Sequence, residues 1–391
     1  MLRNALAACA ALLLLVTGTT TPATAAPATA AGGRAVIGAY YGNWFSGSKP
    51  ISAIPGDTPI THLFYAFSTI EGGRCALNAP TAAKDFADIA DLKRRKPSLK
   101  ALISIGGWGA GGFSDAALTR DSRRAFVASC AELFFERHGG VFDGVDVDWE
   151  FPVYGGPTEI TDRPEDRRNM TLLVREFRRQ LPRGALVTAA LPTGRLQTDG
   201  PYDPARSFEL GALGRELDFI TLMTYDMGTG FSPVATFNAP MREVREDPMP
   251  AADRRWNNVT GAVEYYVRHG VPPRKLVLGT PFYGRGFQVR QEGPDHGLYQ
   301  PYESAFWVDG FDEVQRLRAT PGWREHWHPV AQSPWLYNAA ERKFVSFEDP
   351  RSIGIRAGYA KRRGLLGAFM WELGHDDARH SLLEAMAEPF R

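Results

Sequence analysis

Eight short apolar runs, separated by amphipathic stretches, constrain this chain more than any other feature. They cover residues 34–41, 60–67, 99–105, 142–148, 185–191, 217–225, 276–282 and 365–371. Each is 7 to 9 residues long and most are rich in Val, Ile and Phe, as parallel strands buried on both faces require. The clearest helix between them spans 167–181, with Met170, Leu173, Val174, Phe177 and Leu181 on one face and arginines elsewhere. Pro164 favours its start, and Pro182 with Gly184 its end. Strand and helix in eightfold alternation predict an α/β fold, a (β/α)8 TIM barrel, finished by a helix over 378–387. Residues 286–346 break the rhythm with scattered aromatics and prolines. That stretch is too long for a loop in a compact domain and predicts a small α+β insertion between strands 7 and 8. The barrel is then expected over 31–285 and 347–391.

The N-terminal 1–30 reads as an address and linker. Arg3 precedes a small and apolar run from Ala5 to Val16, and small-x-small sites follow at Ala23-Thr24-Ala25 and Ala28-Thr29-Ala30. This is the pattern of a secretory signal peptide cleaved near residues 25–30. The run is 12 residues long, short of the ~20 a membrane span needs. The chain is therefore expected to be secreted, extracellular and free of the membrane, a monomer with no second module. Lys and Arg total 45 against 44 Asp and Glu, without the basic stripe of a nucleic-acid binder. Cys75 and Cys130 remain after Cys9 leaves with the address. Cys130 lies on an apolar helix stripe with Phe126, Leu133 and Phe134, so a buried thiol and a Cys75–Cys130 disulfide both stand as readings.

The densest chemistry lies in Asp143-Gly-Val-Asp146-Val-Asp148-Trp-Glu150. Asp146, Asp148 and Glu150 share one parity and Val145, Val147 and Trp149 the other, so on a strand the acids line one side while the apolar residues pack outward. In a barrel that places the acids inside, with Glu150 emerging at the C-terminal mouth. Carboxyls stacked ~7 Å apart cannot all ionise cheaply, so at least one should hold a proton near neutral pH. A calcium loop is excluded, because Phe151 and Pro157 stand where Gly and Glu are needed. The alternating valines exclude a solvated acidic face.

Other motifs carry less. Gly107-Trp-Gly109-Ala-Gly-Gly112 matches a dinucleotide fingerprint, but Phe113, Ser114 and Asp115 intervene before a helix expected near Ser122. His326-x-His328 lacks a third metal ligand, and no G-x-S-x-G elbow is present. No metal or cofactor is expected. Aromatics gather at the same ends of successive strands: Tyr40, Tyr41 and Trp44, then Phe67, Trp108, Tyr225, Tyr283 and Trp371. Singly each reads as core; together they form the flat floor that sugar rings require.

Asp143-x-x-Asp146-x-Asp148-x-Glu150 resembles the D-x-x-D-x-D-x-E signature of glycoside hydrolase family 18, the chitinases. Ser104-Ile-Gly106-Gly107-Trp108 is similar to its third-strand S-x-G-G, and Met223-Thr-Tyr225-Asp226 to its sixth-strand M-x-Y-D. Pro281-Phe-Tyr283-Gly-Arg285 and Phe369-Met-Trp371-Glu372 resemble the seventh- and eighth-strand motifs. The segment Phe347-Glu-Asp349-Pro-Arg-Ser352-Ile353 approximates Y-D-D-x-x-S-I at the exit of the family's extra subdomain. Phe231 stands where a Trp often follows M-x-Y-D, and Ala39 replaces a Gly before Tyr40.

The resemblance implies hydrolysis of chitin or chito-oligosaccharides by a retaining mechanism without a protein nucleophile. It implies Glu150 as acid and base, Asp148 and Asp146 as supports of a substrate-borne oxazolinium, and Tyr225 on the acetamido oxygen. It assigns substrate binding to Trp371, Trp108, Asp226, Met223, Tyr283, Arg285, Tyr40 and Phe67. Two alternatives share the motif: an endo-β-N-acetylglucosaminidase acting on glycans, and a lectin-like chitin binder, which would typically lack the final Glu.

Overall fold

The computed structural model describes residues 35–157, 160–194 and 202–391. The N-terminal address lies outside them, so the following concerns Ala35 onward.

The strands are β1 (Val36–Gly42), β2 (His62–Glu71), β3 (Arg74–Ala76), β4 (Lys100–Gly106), β5 (Gly144–Asp148), β6 (Leu186–Pro192) and β7 (Ile220–Met223). There follow β8 (Leu276–Pro281), β9 (Gly284–Val289), β10 (Tyr302–Val308), β11 (Trp323–His328), β12 (Ser333–Asn338), β13 (Lys343–Ser346) and β14 (Gly367–Trp371). Eight of them pair in parallel in the order β1-β14-β8-β7-β6-β5-β4-β2, and β1 pairs β2 to close the barrel. The short β3 folds back antiparallel on β2. Each of the eight runs read from the sequence overlaps a barrel strand.

Helices cover the outside because their apolar stripes demand it. Asp166–Gln180 buries Met170, Leu173, Val174 and Phe177 and turns its arginines to solvent, where several pair with Glu209, Glu216 and Asp218. Pro350–Arg362 starts at a reciprocal cap. The Asp349 carboxylate accepts from Ser352 N at 2.7 Å, and Ser352 Oγ from Asp349 N at 2.9 Å, which accounts for the Asp-Pro-x-Ser pattern. The final helix is Ser381–Ala387, three residues later than the periodicity suggests. The carboxylates of Asp376 and Asp377 accept from the amides of Leu383 and Ser381 in its first turn and fix that start.

Two further expectations need correction. A helix opens at Phe113, directly after Gly112, and a second at Arg120, so the helix near Ser122 is not the first. Strand β7 ends at Met223, because Asp226 turns into the left-handed region at φ 55° and Thr224 Oγ1 donates to Gly279 O at 2.6 Å.

Between β8 and β14 the chain builds a five-stranded antiparallel sheet, β10-β9-β13-β12-β11, with the helix Phe311–Ala319 between β10 and β11 in the chain. A fully buried pair, Arg356 with Glu348 at 2.6 Å, also reaches Ser333 on β12 and the Ala239 carbonyl. It ties this sheet to the loop after β7.

Cys75 on β3 and Cys130 in the helix Arg120–Ala131 are joined, with Cα atoms 5.1 Å apart. Of the two readings of these cysteines, the bridge is the one the fold contains.

Candidate active site

Strand β5 sorts its side chains as its parity requires. Trp149 is buried against the ring of Phe113, stacked at 5.1 Å, while Asp146 and Asp148 face the interior. Asp146 is fully buried and accepts three hydroxyl donors from three strands: Tyr40 at 2.7 Å, Ser104 at 2.9 Å and Thr188 at 2.6 Å. Burial pushes its carboxyl up and the hydroxyls oppose that.

Asp148 is 3% exposed, and its Oδ1 meets no N–H or hydroxyl donor of the described residues. Burial first, then the charges of Glu150 and Asp146, raise it well above the ordinary carboxylate range. Glu150, half-buried at the mouth, is raised to about 8, chiefly by burial and next by Asp226, while its hydrogen bond with Asp148 works the other way. Both carboxyls therefore favour their protonated forms more than ordinary carboxylates do, and the titration belongs to both residues.

Backbone geometry explains the glycine pair before Trp108. At Gly106, φ is 113° and a Cβ would fall 2.1 Å from the Asp148 carbonyl oxygen. At Gly107, φ is 91° and a Cβ would strike the Phe67 ring at 2.5 Å. Glycine lets β4 close on the acid strand, and Gly107 N donates to that same carbonyl at 2.9 Å.

A cleft of about 770 Å³ opens above the acids, lined by Asp148, Glu150, Met223, Tyr225 and Asp226, with Phe67, Trp108 and Trp371 around them. Trp371 stacks on Phe67 at 5.7 Å, and Trp108 stands 52% exposed at the rim. Tyr225 is nearly buried, and burial keeps its phenol protonated far above neutral pH. Asp226 Oδ1 accepts from Tyr283 at 2.7 Å and from Arg285 at 2.6 and 2.8 Å.

Of the site residues expected from sequence, Phe67, Trp108, Asp148, Glu150, Met223, Tyr225, Asp226, Tyr283, Arg285 and Trp371 line the cleft; Asp146 lies buried below it, and so does Tyr40. That side chain is 1% exposed and lies one layer below, under Trp371 and against Asp146. It does not line the cleft.

Trp307, Asp309 and His375 also line the cleft, and sequence reasoning missed them. Trp307 arrives because β10 pairs with β9 in the register Trp307↔Arg285, which stacks it on Tyr283 at 4.2 Å. Inside an insertion with no clear periodicity, nothing in the sequence marked that register. His375 follows the eighth-strand motif by three residues, and that proximity was the one available signal.

Comparison with known proteins agrees with this geometry. The family model described as "Glycosyl hydrolases family 18" matches residues 36–376. Chitinase A1 of Niallia circulans is 36% identical over 299 residues, 73% of this chain. The chain spans only 42% of that relative's length. Chitotriosidase-1 of Mus musculus is 29% identical over 90% of the chain and 75% of its own length. Among solved structures, a glycoside hydrolase family 18 N-acetylglucosaminidase from Paenibacillus barengoltzii superposes with a TM-score of 0.78 at 30% identity, covering 91% of this chain and all of the other. Chitinase ChiA74 from Bacillus thuringiensis gives 0.81 at 27% identity, covering 92% of this chain and 70% of the other.

Proposed function

The chain belongs to glycosyl hydrolases family 18, and from that premise we propose that it is a secreted chitinase cleaving β-1,4-linked N-acetylglucosamine polymers by a substrate-assisted retaining mechanism. The observation that carries this reading is the Asp148–Glu150 pair. Two carboxyls, each raised mainly by burial and hydrogen-bonded to one another, lie at the floor of an aromatic cleft.

Glu150, protonated, donates to the glycosidic oxygen as the bond to the anomeric carbon breaks. The substrate's acetamido carbonyl oxygen forms the new bond to that carbon, giving an oxazolinium. Asp148 accepts the acetamido N–H and offsets the positive charge, while Asp146 supports Asp148 from below. Tyr225 donates to the acetamido oxygen. Glu150, now ionised, takes a proton from water, which attacks the anomeric carbon and restores the acetamido group with retention.

Met223, Asp226, Tyr283 and Arg285 shape the wall beside the distorted sugar, with Trp371 beneath it and Trp108 on the leaving-group side. The sheet between β8 and β14, which we take as an inserted subdomain, adds Trp307 and Asp309 to the cleft. That deepening favours a polymer over a short glycan. Export rests on the N-terminal address alone.

The experiment is hydrolysis of chitohexaose beside cellohexaose. Only the former carries the acetamido nucleophile, so turnover of chitohexaose alone is expected, and equal turnover of both would refute the mechanism. The name of the Paenibacillus barengoltzii structure supports a second reading, release of single N-acetylglucosamine units. Early products decide it: dimers and longer for a chitinase, monomer alone for the second reading. A high-mannose glycopeptide serves as the arm for glycan-directed endo-cleavage.

A further inference from the structure

Glu372 follows Trp371 at the end of β14 and is 1% exposed, although the cleft lies beside it. Its two oxygens do different jobs. Oε2 accepts from the backbone N–H of Gly42 at 2.8 Å, and Oε1 accepts from the indole N–H of Trp44 at 3.1 Å. The His375 Nε2 stands 3.7 Å from Oε1 and 3.0 Å from Asp309 Oδ1, closing the third side. One carboxyl group thus binds the end of β1 and an indole two residues further on.

Trp44 needs such a hold. It is 53% exposed and sits on the three-residue turn Asn43–Phe45. Its ring meets Trp371 and Phe67 only at a tilt, with centroids 6.2 and 6.4 Å away. Beneath the ring a Cβ at Gly42 would fall 2.1 Å from the indole and 2.6 Å from Glu372 Oε2, so only glycine lets indole and carboxylate meet there. An exposed ring with two free torsions would otherwise pay rotamer entropy whenever a sugar stacked on it.

We propose that Glu372 is a positioning residue that sets the indole of Trp44 as a preorganised wall of the sugar-binding cleft. It acts through the Trp44 N–H, not by touching substrate. The competing reading is a merely structural carboxylate that stitches β1 to β14 through Gly42. The two differ in whether the effect of losing Glu372 passes through Trp44. The inference rests on the substrate reading above.

Glu372→Gln separates the two oxygens. With its carbonyl oxygen kept on Gly42 N–H, the amide turns its NH2 toward the Trp44 N–H, donor against donor, and the indole is released. Trp44→Phe keeps a ring and removes the N–H. Chitohexaose Kd is measured by calorimetry in a Glu150→Gln parent, alone and with Glu372→Gln, Trp44→Phe or both. Each added change should weaken binding about 3- to 10-fold, the cost of leaving one interfacial side chain unfixed. The two together should weaken it no more than either alone, a non-additivity that a double-mutant cycle reads directly.

Additive losses would overturn the proposal in favour of the structural role. So would a Trp44→Phe change that leaves Kd within about 2-fold, and that exposed substitution reads out even if Glu372→Gln fails to fold. A parent that binds no chitohexaose refutes the substrate reading itself, and the inference falls with it.

Discussion

The phenol of Tyr40 on β1 donates to Oδ2 of Asp146 on β5 at 2.7 Å, across the barrel interior. The lowest acid of the ladder is therefore held from across the barrel interior, by a residue that does not line the cleft. Tyr40→Phe keeps the ring stacked on Phe64 and removes one of the three hydroxyl donors. A hydrogen bond to a charged group is worth ~1.5–3 kcal/mol, so kcat on chito-oligosaccharides should fall by about 10- to 100-fold with KM held. A raised KM at unchanged kcat would instead place Tyr40 at the substrate.

The disulfide offers a stability test separate from chemistry. Cys75 and Cys130 are 55 residues apart in sequence, and closing a loop of that length stabilises by about 4 kcal/mol at most in the chain-entropy account. Thiol titration of the unreduced, denatured protein should find neither cysteine free. Cys75→Ala with Cys130→Ala should lower the denaturant midpoint while leaving kcat near wild type, because neither residue lines the cleft.

Stability should fall as pH rises from the weakly acidic to the weakly basic range. Glu150 and Glu372 are each raised to about 8 and Asp376 to about 6, all mainly by burial. A carboxyl whose folded pKa exceeds its unfolded value of ~4 keeps its proton longer in the native state, so stability is lost between those two values as pH increases. Melting temperature should decline between about pH 5 and 8, and by ~1–3 °C less in Glu150→Gln than in wild type. A melting temperature that climbs steadily over that range would contradict the burial of these acids.

The barrel was legible because each strand carries its own local record. A run such as 142–148 is apolar on both faces except where the interior needs acids, and that parity alone placed Asp146, Asp148 and Glu150 on one side. What escaped notice depends on pairing over long sequence distances. Trp307 reaches the cleft through an antiparallel register with Arg285, and Glu372 matters through a bond to Trp44, 328 residues away. Tyr40 was misplaced for a related reason. The end of β1 marks both Tyr40 and Trp44 as mouth aromatics, and only closure of the barrel decides that one goes under the acids and the other beside the cleft.

Asp148→Asn should be milder than loss of Glu150. The amide oxygen still accepts an acetamido N–H, but the charge that steadies the oxazolinium is gone, and so is the neighbour that shares the proton. Both limbs of the pH–rate profile should therefore move, the basic limb lying in wild type near the value of about 8 set for Glu150. A profile identical to wild type, scaled down, would separate Asp148 from the proton balance of the pair.

The most direct measurement of the central claim is kcat of Glu150→Gln on chitohexaose, paired with its Kd for the same oligomer. The amide keeps the shape of the cleft floor and has no proton to give. Loss of a general acid costs ~10²–10⁴-fold, and here the same group also serves as base, so kcat should drop by that much or more while Kd stays near the wild-type KM. If Glu150→Gln kept more than about a tenth of wild-type kcat, a difference of only ~1.4 kcal/mol, Glu150 would not be the acid.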